Sequence, residues 1–216
     1  MLHFANARRL LLPALLAAFL LRISLTYRVF NDTTDEQFHI VAGLQYLETG
    51  KYEFEPQHPP LARLAVAALP YYVGGLRAGR RFALWNEGAW TLHDENYYWK
   101  TLTLARAGNL IFAVLVFFIV YRWSFLLYGR RAALAACALA ICCPNLIAHA
   151  SLATLDLPVA ATVLMAAFFF WRWCEHPGWR YCLASAATLS VAVLCKFSAL
   201  VFLLPLGAAY FLTSRL

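Results

Sequence analysis

Residues 104–121 read LARAGNLIFAVLVFFIVY. Beyond Arg106, Gly108 and Asn109 the stretch is unbroken apolar sequence. As a helix rising about 1.5 Å per residue it covers most of the roughly 30 Å hydrocarbon core of a bilayer. The rest of the chain has the same character. Of 216 residues 62% are apolar and only 13% charged, with a mean hydropathy of +0.62. That leaves too little polar surface to cover a soluble globule, so the fold class is all-α, a polytopic membrane helix bundle.

Outward from that stretch, residues 10–29, 132–148 and 157–173 are further apolar runs of membrane length. Residues 181–212 are too long for one crossing, and Lys196 interrupts them. A charge in mid-membrane is costly, so the segment divides into helices over 181–195 and 197–212 that meet at one face. The total is about six crossings in a single membrane domain, 1–216. Arg8 and Arg9 precede the first run as they would in a signal peptide. That run exceeds the usual apolar length, contains Arg22 and lacks a small-residue cleavage site, which predicts an uncleaved anchor.

Short loops carry Arg and Lys on the cytoplasmic side. In a six-helix tracing Arg8 and Arg9, then Arg122, Arg130 and Arg131, then Arg172 and Arg180, then Arg215 fall on one side. The N-terminus is therefore expected in the cytoplasm and the long loop 30–103 in the periplasm. Arg63, Arg77, Arg80, Arg81 and Lys100 in that loop do not count against this, because long loops cross largely regardless of charge. Compact loops without added domains suit a bacterial inner membrane; an endoplasmic reticulum membrane obeys the same physics. Arginines beside anionic headgroups account for much of the net charge of +7, and no nucleic-acid partner is called for. The six cysteines form no CxxC pair and lie in or beside the spans, as small apolar packing residues.

The loop has its own pattern. Phe38, Ile40, Val41, Leu44 and Leu47 recur near helical spacing among Asp35, Glu36, His39 and Gln45, with Thr33 or Thr34 to cap the start and Gly50 to end it. This predicts an amphipathic helix lying along the membrane interface, with both acids in its first turn. Pro59 and Pro60 then set a rigid turn. Leu61, Leu64, Ala65, Ala68 and Leu69 mark a second amphipathic helix with Arg63 on its polar side. Asp35, Glu36, His58 and Arg63 are thus expected to converge above one end of the bundle.

The stretch DEQFHIVAGLQYLETGKYEFEPQHPPLARL, 35–64, resembles the first lumenal loop of the protein O-mannosyltransferases and of the wider GT-C glycosyltransferases that use lipid-linked sugars, the aminoarabinose transferases among them. That loop opens on Asp-Glu and ends on His-Pro-Pro-Leu. RAGNLIFAVLVFFIVY, the Gly129-Arg130-Arg131 turn, SLATLDLPVAATVLMAAFFF and LCKFSALVFLLP continue the likeness in the family's order. The resemblance implies transfer of a sugar, a hexose such as mannose, from a polyprenyl-phosphate donor to a hydroxyl on protein, lipid or glycan at the non-cytoplasmic face. The partners it implies are membrane lipid, the lipid-linked sugar and the acceptor. Because proteins of this kind continue through more helices, the chain is expected to be their N-terminal module: one half of a two-chain assembly, or else an inactive truncated fragment of the transferase.

Chemistry assigns roles within that frame. A hydroxyl is a poor nucleophile, and Asp35 is the expected base that takes its proton. Glu36 points about 100° away on the same helix, which makes it an orienting or second acceptor-side group. Negative charge grows on the departing phosphate, so cations should face it. The resemblance points to Arg106 first and Lys196 second; Arg63 stands where the family often has Lys, and Asp156 matches its second acidic position, near His149. No cofactor is certain; a divalent metal on Asp35, His39 and Asp156 is a weaker alternative.

Plainer readings stand beside these. Asp35 and Glu36 suit any helix N-terminus, His58 any turn, and Arg106 an arginine that reaches headgroups. Trp85, Trp90, Tyr97, Tyr98 and Trp99 read as an interfacial aromatic belt before they read as a sugar platform. A small transporter or flippase-like bundle lined by Arg106, Asp156 and Lys196 is the alternative function, against which no inverted repeat is visible.

Overall fold

The computed structural model describes residues 2–78, 84–92 and 97–213. Arg80, Arg81 and Arg215 lie outside the described residues, as do the side chains of Arg8, Arg9 and Trp85. The described residues form helices and no strand: α1 (Leu2–Leu25), α2 (Thr34–Thr49), α3 (Pro60–Tyr72), α4 (Leu84–Leu92), α5 (Tyr98–Gly108), α6 (Leu110–Cys142), α7 (Pro144–Ala150), α8 (Asp156–Glu175), α9 (Trp179–Cys195) and α10 (Ala199–Thr213).

Helix α6 is two crossings rather than one. Gly129 has φ 80° and ψ −179°, a conformation essentially restricted to glycine. The chain folds back there, which brings Cys137 Sγ to 3.9 Å from the Phe117 carbonyl oxygen; twenty residues along a straight helix would separate them by about 30 Å. Tyr98–Cys142 and Asp156–Glu175 are long and apolar enough to span a bilayer, and 10–25, 179–195 and 199–213 are shorter apolar helices. With the hairpin at Gly129 these amount to six apolar segments, close to the expected boundaries. The division of 181–212 falls at Lys196, whose backbone is extended (φ −162°, ψ 132°).

Two clusters hold the molecule together. The bundle core gathers Phe19, Ile23, Phe112, Phe117, Cys137 and Leu157. Small buried residues, including Ala113, Ala133, Ala161, Ala192 and Cys195, allow close helix approach, the usual means of packing where lipid removes the hydrophobic drive. Cys137 and Cys195 therefore pack as expected, whereas Cys142, Cys143 and Cys182 are exposed. The outward side of α9 and α10, with Leu183, Val201, Phe202, Leu204 and Phe211, remains apolar and exposed, as a lipid-facing surface must be.

The second cluster belongs to the cap made by α2 to α5, around Ile40, Leu44, Val66, Ala67, Leu102 and Ala105. Helix α2 starts and stops where its sequence signals fall. Thr33 and Glu36 form a reciprocal capping box, and Gly50 ends the helix at φ 66°. Helix α2 does not lie with one face open, however, because it is buried from His39 to Gln45. Gly43 explains how: a Cβ there would lie 2.6 Å from Ala67 Cβ and collide with the Arg63 carbonyl, so α2 and α3 touch backbone to backbone. That contact also rotates α3 from its expected setting. Its buried face is Ala62, Arg63, Val66, Ala67 and Pro70, and Arg63 is inside the cap rather than on a polar outer side.

Candidate functional site

A buried ion pair inside the cap also bonds to the chain that leaves α1 and to the 151–155 turn, and so links the cap to the bundle. Glu36 and Arg106 have side-chain exposures of 0% and 1%. Arg106 Nε donates to Glu36 Oε1 at 2.8 Å and Nη2 to Oε2 at 2.9 Å, a bidentate fork. Its other N–H groups go to the carbonyls of Tyr27 at 2.5 Å, Phe30 at 3.0 Å and Asn31 at 3.0 Å. A guanidinium has five N–H donors, and all are spent. Glu36 also accepts from the backbone N–H of Thr33 at 2.9 Å and of Ala153 at 2.8 Å. The expectation that Arg106 faces a donor phosphate, and that Glu36 serves the acceptor, thus meets a pair with no bonding capacity left over. It ties α1, α2, α5 and the 151–155 turn together.

Asp35, one residue earlier, faces the other way. It is exposed and carries no hydrogen bond or ion pair among the described residues. The Glu36–Ala153 bond ties the first turn of α2, which bears this carboxylate, to the turn that leads to Asp156, and Asn109 steadies the same turn by donating to the carbonyls of Leu152 at 2.7 Å and Thr154 at 3.0 Å.

Asp156 opens α8. Its Oδ1 accepts from Lys196 Nζ at 3.0 Å, and its Oδ2 lies 3.5 Å from His149 Nδ1. Lys196 is 27% exposed; with one N–H given to Asp156, two remain for an anion. His149 and Asp156 line a cavity of about 510 Å³ between α7, α8 and α10, whose other walls include Leu146, Leu157, Val163 and Phe202. A charged rim on an apolar channel suits an amphiphile with a polar head and a hydrocarbon tail.

A third group lies beneath the α2–α3 turn. Gln45 Oε1 accepts from the N–H groups of Glu53 and Phe54, both at 3.0 Å, and so turns Glu55 inward. The Glu55 carboxylate pairs with Arg63 Nη2 and lies 3.3 Å from His39 Nδ1 and 3.7 Å from His58 Nε2. Arg63 also donates to the Glu55 carbonyl at 2.5 Å and to the Tyr52 hydroxyl at 3.0 Å. Burial alone would raise the Glu55 carboxyl, but the His39 hydrogen bond and the Arg63 charge hold it below its ordinary range. His58 is pushed down by burial first, then by Arg63, His39 and Lys196, against the opposing pull of Glu55. Lys196 is therefore within electrostatic reach of His58.

The structure pairs Asp156 with Lys196 beside His149, sets His58 against Glu55 within electrostatic reach of Lys196, leaves Asp35 exposed on the first turn of α2, and places Arg63 and Arg106 in the interior. The three residues of the metal alternative are not gathered in the structure: His39 lies against Glu55, Asp156 against Lys196, and Asp35 is exposed on the first turn of α2. Among the described residues no three His, Cys, Asp or Glu side chains are set to hold a metal ion. Two participants were missed from sequence, Glu55 and the Asp32–Tyr98 link, in which the Tyr98 hydroxyl donates to Asp32 at 2.7 Å and accepts from its N–H at 2.8 Å. Nothing in the spacing of Glu53 and Glu55 distinguishes the one that turns inward.

A family model described as dolichyl-phosphate-mannose-protein mannosyltransferase matches residues 100–216. The match includes Arg106, Asp156 and Lys196 and excludes the Asp35–Arg63 loop. No curated protein and no solved structure matches the chain.

Proposed function

The chain belongs to the dolichyl-phosphate-mannose-protein mannosyltransferase family and is a membrane glycosyltransferase of that type, and from this premise we propose that it moves a hexose from a polyprenyl-phosphate donor to an acceptor hydroxyl at the non-cytoplasmic face. The observation that carries the proposal is the Asp156–Lys196 pair at the mouth of the apolar cavity, with the Glu36–Ala153 bond tying the helix turn that bears the exposed Asp35 to the turn that leads into Asp156.

Each part has a task. The cavity takes the first isoprene units of the donor, and Lys196 meets the phosphate with its two spare N–H groups. Asp156 holds the ammonium in place, and His149 lines the same rim. Asp35 accepts the proton of the acceptor hydroxyl as its oxygen bonds to the anomeric carbon. The bond from that carbon to the phosphate oxygen breaks with its electron pair, and Lys196 offsets the charge that grows on the leaving polyprenyl phosphate. One displacement by one oxygen inverts the anomeric configuration.

The test is sugar transfer from synthetic polyprenyl-phosphate sugars to mixed hydroxyl acceptors in membranes that hold the wild-type protein or Asp35→Asn at equal expression. The variant should lose about 10²- to 10⁴-fold in rate, the usual worth of a positioned base. Equal rates would remove Asp35 from the role, and solute uptake by vesicles without sugar transfer would support the transporter reading instead.

A further inference from the structure

Arg22 belongs neither to the buried pairs of the cap nor to the cytoplasmic loops of the proposed orientation. It lies in the last turn of α1, at the end that leads into the cap. Its side chain is exposed, and the surface beside it is apolar: Leu21, Leu25, Val29 and Phe30 are between 59% and 68% exposed. A surface of that kind faces hydrocarbon, where a charge without an opposite one is costly. Among the described residues no carboxylate pairs with Arg22. The guanidinium is nevertheless held in one direction. Its Nη1 donates to the Ile141 carbonyl at 2.6 Å and to Cys142 Sγ at 3.8 Å. Both acceptors lie at the end of α6, where the last carbonyls of a helix lack partners within it. The Nε and Nη2 edge has no partner among the described residues. That edge is a planar fork, the arrangement that takes two oxygens of one phosphate.

We infer that Arg22 is the phosphate-binding residue of a lipid site, and that the site takes an anionic glycerophospholipid from the leaflet on the cap side. The phosphate sits on the Nε–Nη2 fork. An acyl chain runs from it along Ala18, Ala17 and Ala14, which are exposed on α1 at the three- and four-residue spacing of one helix face. Small side chains there let the hydrocarbon lie close to the helix. An anionic lipid answers the charge of Arg22, whereas a zwitterionic lipid brings its own cation to compete for the phosphate. Membrane orientation does not account for the residue, because in the proposed topology the charge rule places arginines of short segments on the opposite side. With Nη1 on the end of α6 and the lipid on the other edge, the site joins α1, α6 and the bilayer at one point. Bound lipid therefore stabilises the folded chain by mass action.

The inference is independent of the transferase reading, and its test needs no turnover. The delipidated protein in detergent is offered dioleoyl phosphatidylglycerol and dioleoyl phosphatidylcholine at equal concentration, and the bound lipids are read by native mass spectrometry. The wild type should retain phosphatidylglycerol in preference. Arg22→Gln should lower that affinity about tenfold or more, as loss of a charge-assisted hydrogen bond does. Arg28→Gln removes an exposed arginine of the same end that has no anchoring bond among the described residues, and should leave the preference unchanged. Added phosphatidylglycerol should raise the unfolding temperature of the wild type and of Arg28→Gln more than that of Arg22→Gln. If Arg22→Gln fails to fold, Arg22→Lys keeps the charge, removes the fork and should still weaken retention. No preference between the two lipids in the wild type, equal losses in Arg22→Gln and Arg28→Gln, or full retention in Arg22→Lys would each overturn the inference. So would preferential retention of a polyprenyl phosphate added to the same mixture, which would assign the fork to another lipid.

Discussion

At the scale of single residues, the deciding contrast is between two adjacent carboxylates. Asp35 and Glu36 differ by one step on a helix, about 100°. That step sends one to the surface and the other into contact with Arg106. Glu36 and Arg106 are a costly pair to bury, and removal of one partner leaves an unpaired charge that typically costs about 3–5 kcal/mol. Glu36→Gln is expected to lower stability by that order, read by thermal unfolding in detergent, and a change below about 1 kcal/mol would show that water reaches the pair. The cap also has a pH dependence of definite sign. His58 and Glu55 are both held below their unfolded values of 6.5 and 4.5. The unfolded chain then binds more protons than the folded one, so stability rises with pH through each window. Their contribution is present in full above 6.5, falls first as His58 protonates, and falls again below 4.5 as Glu55 does. Unfolding temperatures taken between pH 7.5 and 4 should decline on acidification, and His58→Gln should flatten the upper part of the curve; a rise on acidification would contradict both assignments.

At the scale of elements, glycine decides where helices turn and how closely they meet. Gly129 converts what reads as one long apolar helix into a hairpin. Its φ of 80° with ψ −179° is costly for any residue with a Cβ, about 1–3 kcal/mol. Gly129→Ala is therefore expected to lower the unfolding temperature and to reduce the yield of folded protein, while the neighbouring Tyr128→Ala, at an exposed site, should do neither. Equal behaviour of the two would mean that the chain passes Gly129 in another conformation. Gly43 acts through approach rather than turning: with no Cβ it lets the α3 backbone lie against α2. The same closeness buries Arg63, and the α3 hydrophobic pattern cannot report it, because alanines at 62, 65, 67 and 68 leave several faces equally able to pack.

At the scale of the whole molecule, six apolar segments carry a cap that places Asp35, His58, Asp156 and Lys196 at one end and the Gly129 turn at the other. In the orientation proposed from the arginine distribution the cap lies outside and the turn in the cytoplasm. With the native cysteines replaced, Asn145→Cys should react with a membrane-impermeant maleimide added to intact cells, and Tyr128→Cys only after the membrane is opened; the reverse pattern would invert the topology and refute the proposed face of catalysis. Sequence alone determined the solvent, the six segments with their break at Lys196 and the caps of α2 at Thr33 and Gly50, because these follow from local composition, periodicity and end signals that need no distant partner. Only the tertiary structure decided that Arg106 and Glu36 saturate each other, that Arg63 is buried, that His39 joins Glu55 rather than Asp35, and that Asp156 and Lys196 meet across forty residues at an apolar cavity. Those outcomes depend on which side chains the folded chain brings within hydrogen-bond distance, and a charge in a sequence has the same form whether its partner will be water, lipid phosphate or a buried residue of the opposite sign.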